Sequence, residues 1–119
     1  MTAPPVMTLD AGSYPRIMDE LKGLAVVRCW APWSPSCAEV KNTISSLWNK
    51  RNEDFQVIEL NIDRNQKLAE ALKVRYLPEI LILRDGQEVA RMIGEFTEDE
   101  LAHQIDIWLT GEQGTTMGL

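Results

Sequence analysis

Trp30-Ala31-Pro32-Trp33-Ser34-Pro35-Ser36-Cys37 is the stretch on which the fold is read. The apolar run Leu24-Ala25-Val26-Val27 continues into it through Arg28-Cys29-Trp30 and reads as a buried strand. Beyond it Cys37, Val40, Ile44, Leu47 and Trp48 recur at helical spacing, so an amphipathic helix is expected to about Lys50, with Ser34 as its cap and Pro35 at its first position. A strand that runs through a tight loop into a helix, with a cysteine at the helix start, is the arrangement of a thiol redox loop. The place that a Cys-x-x-Cys motif gives to its attacking cysteine, however, holds Ser34. A serine hydroxyl cannot form a disulfide and is hardly ionised near neutral pH, so the nucleophile of a dithiol centre is missing.

Outward from this loop the pattern alternates between strands and helices. Val6-Met7-Thr8-Leu9 is a short strand beside Pro4 and Pro5, which suit an edge. Tyr14 to Leu21 reads as a helix with Pro15 in its first turn and Gly23 after its end. Phe55 to Ile62 is β-rich, and Asn65 opens a short helix that carries Leu68, Ala69 and Leu72. Ile80-Leu81-Ile82-Leu83, after Leu77-Pro78, is apolar throughout and implies cover on both faces. Asp85-Gly86 is a two-residue hairpin signal, so Gln87 to Ile93 should return antiparallel. Thr97 and Glu100 make a capping box for a last helix whose buried stripe is Leu101, Ile105, Trp108 and Leu109. The order β-α-β-α-β-α-β-β-α predicts an α/β fold, a mixed sheet between helix layers. Residues 1–110 read as one domain and 111–119 as a loose tail.

The chain has 119 residues, 45% of them hydrophobic and 25% charged, which suits one globular core. Its net charge is −6, with no basic patch to attract nucleic acid or an anionic membrane. No apolar run reaches the length of a bilayer span, and Met1 to Leu9 lacks the features of a signal peptide, so a cytoplasmic location is expected. The two cysteines, Cys29 and Cys37, read as free thiols, because side-chain alternation along the strand turns Cys29 away from the face of Arg28 and Trp30. His103 is the one histidine and has no companion for a metal site, so no metal and no cofactor are expected.

In these elements the chain resembles thioredoxin over nearly its whole length. Thioredoxins read Trp-Ala-x-Trp-Cys-Gly-Pro-Cys at the end of a central strand, and Trp30, Ala31, Trp33 and Cys37 match. Their Leu-Asn-Ile-Asp stands here as Leu60-Asn61-Ile62-Asp63, their Ile-Pro with a cis proline as Leu77-Pro78, their Asn-Gly turn as Asp85-Gly86 and their Val-Gly as Ile93-Gly94. The resemblance implies a central sheet of about five strands flanked by about four helices, with the Trp33 loop facing Pro78 and Gly94. Pro35-Ser36 departs from the family's Gly-Pro. The positions of a buried aspartate and a nearby lysine hold Arg28 and Glu59, a pair with its charges exchanged. An arginine cannot relay protons as the aspartate does. The loop is also similar to Trp-Ala-Pro-Trp-Ala-Pro-Gln-Cys, found in the thioredoxin-like domains that precede glutaredoxin domains in multidomain monothiol glutaredoxins. This chain ends without a glutaredoxin domain, so the iron–sulfur role of that family is not carried over.

Two functional readings follow. In the first, the protein has lost dithiol exchange and works as a binding or assembly module. Its partner, a protein or polypeptide segment, is held on the face that the resemblance assigns to Trp33, Pro35, Leu77, Pro78, Ile93 and Gly94. Glu79, directly after the proline, is expected to add charge to that groove. In the second, Cys37 acts as a single thiol with glutathione, its charged form favoured by the helix N-terminus and by Arg28 beneath it. The plainer account of Cys37 is a small buried hydrophobe, and that of Arg28 with Glu59 a structural ion pair.

Overall fold

The computed structural model describes residues 3–110. Its elements, in chain order, are β1 (Val6–Thr8), α1 (Tyr14–Glu20), β2 (Leu24–Trp30), α2 (Ser36–Lys50), β3 (Phe55–Asn61), α3 (Gln66–Ala71), β4 (Glu79–Arg84), β5 (Gln87–Ile93) and α4 (Glu98–Leu109). The strands form one sheet in the order β1-β3-β2-β4-β5. β1 and β2 run parallel to β3, whereas β4 runs antiparallel to both β2 and β5. The expected α/β architecture of five strands and four helices is therefore present. The tail expected at 111–119 lies outside the described residues.

Side-chain alternation divides the core into two layers. Ala25, Val27 and Cys29 of β2, Ile58 and Leu60 of β3, and Leu81 and Leu83 of β4 pack with Ile17 of α1 and Leu68 of α3. The residues between them, Leu24, Val26, Val57, Ile80 and Ile82, pack with Val40, Ile44 and Leu47 of α2 and with Leu101 and Ile105 of α4. β2 is thus buried on both faces, as is β4 up to Leu83.

The β4–β5 turn joins the sheet to α1. Asp85 and Gly86 both adopt positive φ, +51° and +84°, as a two-residue hairpin of the right-handed twist requires. The Asp85 carboxylate accepts from the Gly23 N–H at 2.8 Å, and the Asp85 N–H donates to the Gly23 carbonyl at 2.9 Å. At Gly86 a Cβ would stand 2.1 Å from the carbonyl oxygen of Met18.

Two local expectations are corrected. The Ser34 hydroxyl does not cap α2. Pro35 occupies the cap position with helical φ and ψ, and the Cys37 N–H donates instead to the Ser34 carbonyl at 3.2 Å. The chain already turns at Ala31, whose carbonyl accepts from the Ser34 N–H, and the start of α2 is left with no side-chain cap. In α4 the Thr97–Glu100 capping box is present, with Leu101 and Ile105 fully buried. Leu109, however, is exposed, and Trp108 is half-buried. Arg84 donates to the carbonyls of both residues and closes the helix end from the sheet side.

A polar clamp joins α2 to α4: the Glu98 carboxylate accepts from Ser46 and from Lys50, each at 2.6 Å. Lys50 and then Ser46 hold the Glu98 carboxyl below its ordinary value of 4.5. A carboxylate lowered in the folded state contributes stability above its unfolded value and loses it as pH falls through the folded one. Wild type should therefore have a higher urea midpoint than Glu98→Gln at neutral pH, and the gap should close as pH falls below 4.5. A gap independent of pH would contradict the clamp. The glycines give a second expectation. Gly86→Ala, which meets a carbonyl, should cost roughly 2 kcal/mol or more. Gly23→Ala, at φ +77° with nothing within 4 Å of its Cβ, should cost only about 1 kcal/mol of left-handed strain. Denaturant midpoints showing equal losses would refute the close approach.

Candidate functional site

One end of the sheet gathers four of the segments singled out in the sequence. Parallel pairing ends β2 and β3 side by side, Trp30 opposite Asn61. The antiparallel register then places Glu79, the first residue of β4, opposite Cys29, and Ile93, the last residue of β5, opposite Glu79. The loop after Trp30, the turn after Asn61, the Leu77-Pro78 approach to β4 and the Ile93-Gly94 exit from β5 therefore share one rim.

The Leu77-Pro78 peptide bond is cis, and the Pro78 carbonyl accepts from the Gly94 N–H at 2.8 Å. The resemblance implied both the cis bond and this neighbourhood. Pro78 itself is buried, Leu77 and Gly94 are half-buried, and Pro35 and Ile93 are exposed. Trp33 is 64% exposed, yet its orientation is set: the indole N–H donates to the Asp63 carboxylate at 3.0 Å. Asn61 shapes the turn that presents Asp63, its side-chain oxygen accepting from the N–H groups of Asp63 and Arg64. Leu60-Asn61-Ile62-Asp63 served in the sequence only as a fold marker. The side chain of Asp63 has a task of its own at the site, and no periodicity announces it.

Beneath the loop, Cys37 is 2% exposed in the first turn of α2, and its thiol lies 4.0 Å from the Cys29 carbonyl. Arg28 lies under it on the α2 side of the sheet. Its Nε and Nη2 donate to one Glu59 oxygen at 2.9 and 2.6 Å, its Nη1 donates to the Cys37 carbonyl at 3.2 Å, and the guanidinium sits 5.1 Å from the Trp30 ring centre. An open cleft of about 260 Å³ runs from Ser34 and Cys37 down to this pair. The pairing of Arg28 with Glu59 is thus present, and it ties β2 and β3 to the start of α2.

Cys29 faces the opposite layer and is fully buried. Burial, and then the nearby Glu79 carboxylate, push its thiol up to about 12, so it stays protonated and inert. Both cysteines are free. His103 is exposed on α4. Among the described residues no group of His, Cys, Asp and Glu side chains is arranged to hold a metal ion, and no helix is long and apolar enough to cross a membrane.

The placement expected for Glu79 is wrong. It does not charge the groove; it is 1% exposed and points inward. Alternation along β4 explains this, because Glu79 shares the face of Leu81 and Leu83, which pack under α1 and α3. Its carboxylate meets Arg91 at 2.9 Å. A further residue escaped notice in the sequence. Tyr76 is 62% exposed immediately before Leu77, an aromatic side chain in a loop where no hydrophobic period marks it.

With this geometry the chain belongs to the thioredoxin family, whose model matches residues 5–107. Among its relatives, Thioredoxin 1 of Synechococcus elongatus is 28% identical over 81 residues, covering 68% of this chain and 76% of that protein. The thioredoxin of Synechocystis sp. is 29% identical over 110 residues, covering 92% of this chain and all of the relative. Among solved structures, a mutant thioredoxin from Halobacterium salinarum superposes with a TM-score of 0.77 at 23% identity, over 92% of this chain and 96% of its own, which shows the shared fold. The relatives point to thiol redox function and, as thioredoxins generally do, to interaction with protein substrates.

Removing one partner of a buried ion pair leaves the other charge uncompensated. Arg28→Met should therefore lower stability by roughly 3 kcal/mol in a urea titration, since it also strands the Cys37 carbonyl. A loss below about 1 kcal/mol, the range of exposed pairs, would show that the pair does not hold the loop.

Proposed function

We propose that this thioredoxin-family protein binds extended polypeptide segments and does not catalyse dithiol–disulfide exchange. The observation that carries the reading is Trp33: the indole is exposed and oriented by Asp63, while Ser34 stands where the attacking cysteine belongs. The binding face consists of Trp33, Pro35, Leu77, Pro78, Ile93 and Gly94. Trp33 and Ile93 supply the exposed apolar surface, and buried Pro78 shapes the rim from below through its bond to Gly94. Among the described residues neither the N–H nor the C=O of Leu77 has a backbone partner, so an extended segment can add there as a strand. Main-chain hydrogen bonds then give affinity, and the side chains beside Trp33 give selectivity. In this account Arg28 and Glu59 are structural, and the protein works in the cytoplasm.

The competing reading makes Cys37 a monothiol that exchanges with glutathione. The cleft that reaches Cys37 favours it, and the 2% exposure of the residue opposes it, because reactivity needs access. The two readings part in three measurements. The wild-type protein should not reduce insulin disulfides with thioredoxin reductase as electron source. Cys37 should resist alkylation in the folded protein across pH. A permanently unfolded probe, reduced and carboxamidomethylated lactalbumin, should bind, with Trp33→Ala and Leu77→Asp each weakening binding about tenfold or more. Robust insulin reduction, rapid alkylation of Cys37, or binding unchanged in both variants would each count against the binding module.

A further inference from the structure

The Glu79–Arg91 pair is a largely buried charged group that this function leaves unused, and apart from two bonds to Glu88 its hydrogen bonds lead to one segment. Arg91 donates through Nη1 to the Glu79 carboxylate at 2.9 Å and to the Lys73 carbonyl at 3.0 Å. Its Nη2 donates to the Leu72 carbonyl at 2.8 Å and to Glu88 at 2.8 Å, and its Nε donates to the second Glu88 oxygen at 2.8 Å. Every N–H of the guanidinium is thereby used. The other Glu79 oxygen accepts from the N–H groups of Arg75 and Tyr76, at 3.3 and 3.4 Å. One ion pair therefore fastens the backbone at Leu72, Lys73, Arg75 and Tyr76, the whole crossing from the end of α3 to the cis proline. Within that crossing Lys73 is held at φ +62°.

A buried ion pair is weak evidence for stability, since well-packed apolar residues serve as well or better. Fixing a geometry is the better account of this one. The crossing has no ladder hydrogen bonds of its own, and it ends in Tyr76, 62% exposed beside the Leu77 backbone.

We propose that Glu79 and Arg91 are positioning residues of the polypeptide-binding face. They hold residues 72–76 so that Tyr76 stands as a second aromatic anchor, and so that the Leu77 backbone is set at the angle that a bound strand requires. Trp33 is fixed from one side of the rim by Asp63, and Tyr76 from the other by Glu79 and Arg91. The inference rests on the binding reading above and adds a residue, Tyr76, and a mechanism that the reading does not contain.

The test uses the full chain and the same unfolded lactalbumin probe, with amide exchange at Arg75 and Tyr76 measured beside it. Tyr76→Ala, a surface change, should weaken binding about tenfold. Arg91→Met should do the same and speed exchange at the Tyr76 amide. Adding Tyr76→Ala to Arg91→Met should cost less than about twofold more, because Arg91 acts through Tyr76. The double variant Glu79→Leu with Arg91→Leu should retain a cooperative unfolding transition while losing affinity, an outcome that a purely structural pair would not give. Glu79→Gln, which still accepts from both N–H groups, should keep most of the affinity. Wild-type affinity in Tyr76→Ala, or losses in Tyr76→Ala and Arg91→Met that multiply, would overturn the positioning role while leaving the binding reading intact. A wild type that ignores the probe would overturn the binding reading, and this inference with it.

Discussion

Arg28 stands opposite Glu59 across the parallel β2–β3 ladder, and the site is assembled around that pairing. A guanidinium that is 4% exposed is tolerated only when its donors are matched. Here they are matched by a carboxylate on the neighbouring strand and by the carbonyl of Cys37. The second bond reaches out of the sheet to the first turn of α2, so the strand below the loop and the helix after it are tied through one side chain. The helix start has no side-chain cap, which makes that tie more consequential.

A second arginine–carboxylate pair, Arg91 with Glu79, lies at the same end of the sheet on the opposite face. The rim that carries the exposed aromatics is thus underpinned from both layers. Each pair bonds to main-chain groups as well as to its partner, and those groups belong to the segments bearing Trp33 and Tyr76. The arrangement suits a rigid recognition surface, because an exposed aromatic contributes most when its orientation is set before a partner arrives. It suits dithiol chemistry less well. Ser34 supplies no nucleophile, Cys37 is nearly inaccessible, and Arg28 cannot pass protons.

The fold was legible because its signals are local and periodic. Alternation separated Arg28 from Cys29, helical spacing located α2 from Cys37 to Trp48, and Asp85-Gly86 marked the hairpin. The misreadings each have their own physical reason. Ser34 has a capping residue's chemistry, but the cap position falls on Pro35 and the serine hydroxyl makes no bond to the helix. Glu79 was read as a groove residue from its position after the proline, although the alternation that places Leu81 and Leu83 inward places Glu79 inward too. Leu109 continued the apolar period into the last residue of α4, where the side chain is exposed. The roles of Asp63 and Tyr76 had no sequence signal, because an isolated residue in a loop belongs to no period.

By itself the sequence determined the order and type of the elements, the absence of the attacking thiol, and the opposition of Arg28 to Cys29, all consequences of residue chemistry and of side-chain periods two and 3.6 residues long. Only the tertiary structure decided that Cys37 is almost fully buried, that the Trp33 indole is oriented by Asp63, and that the charge at Glu79 is spent on Arg91 and on the backbone beneath Tyr76. Those outcomes depend on which strands lie side by side at one end of the sheet. Strand order arises from contacts between segments far apart in the chain, and no local pattern encodes it.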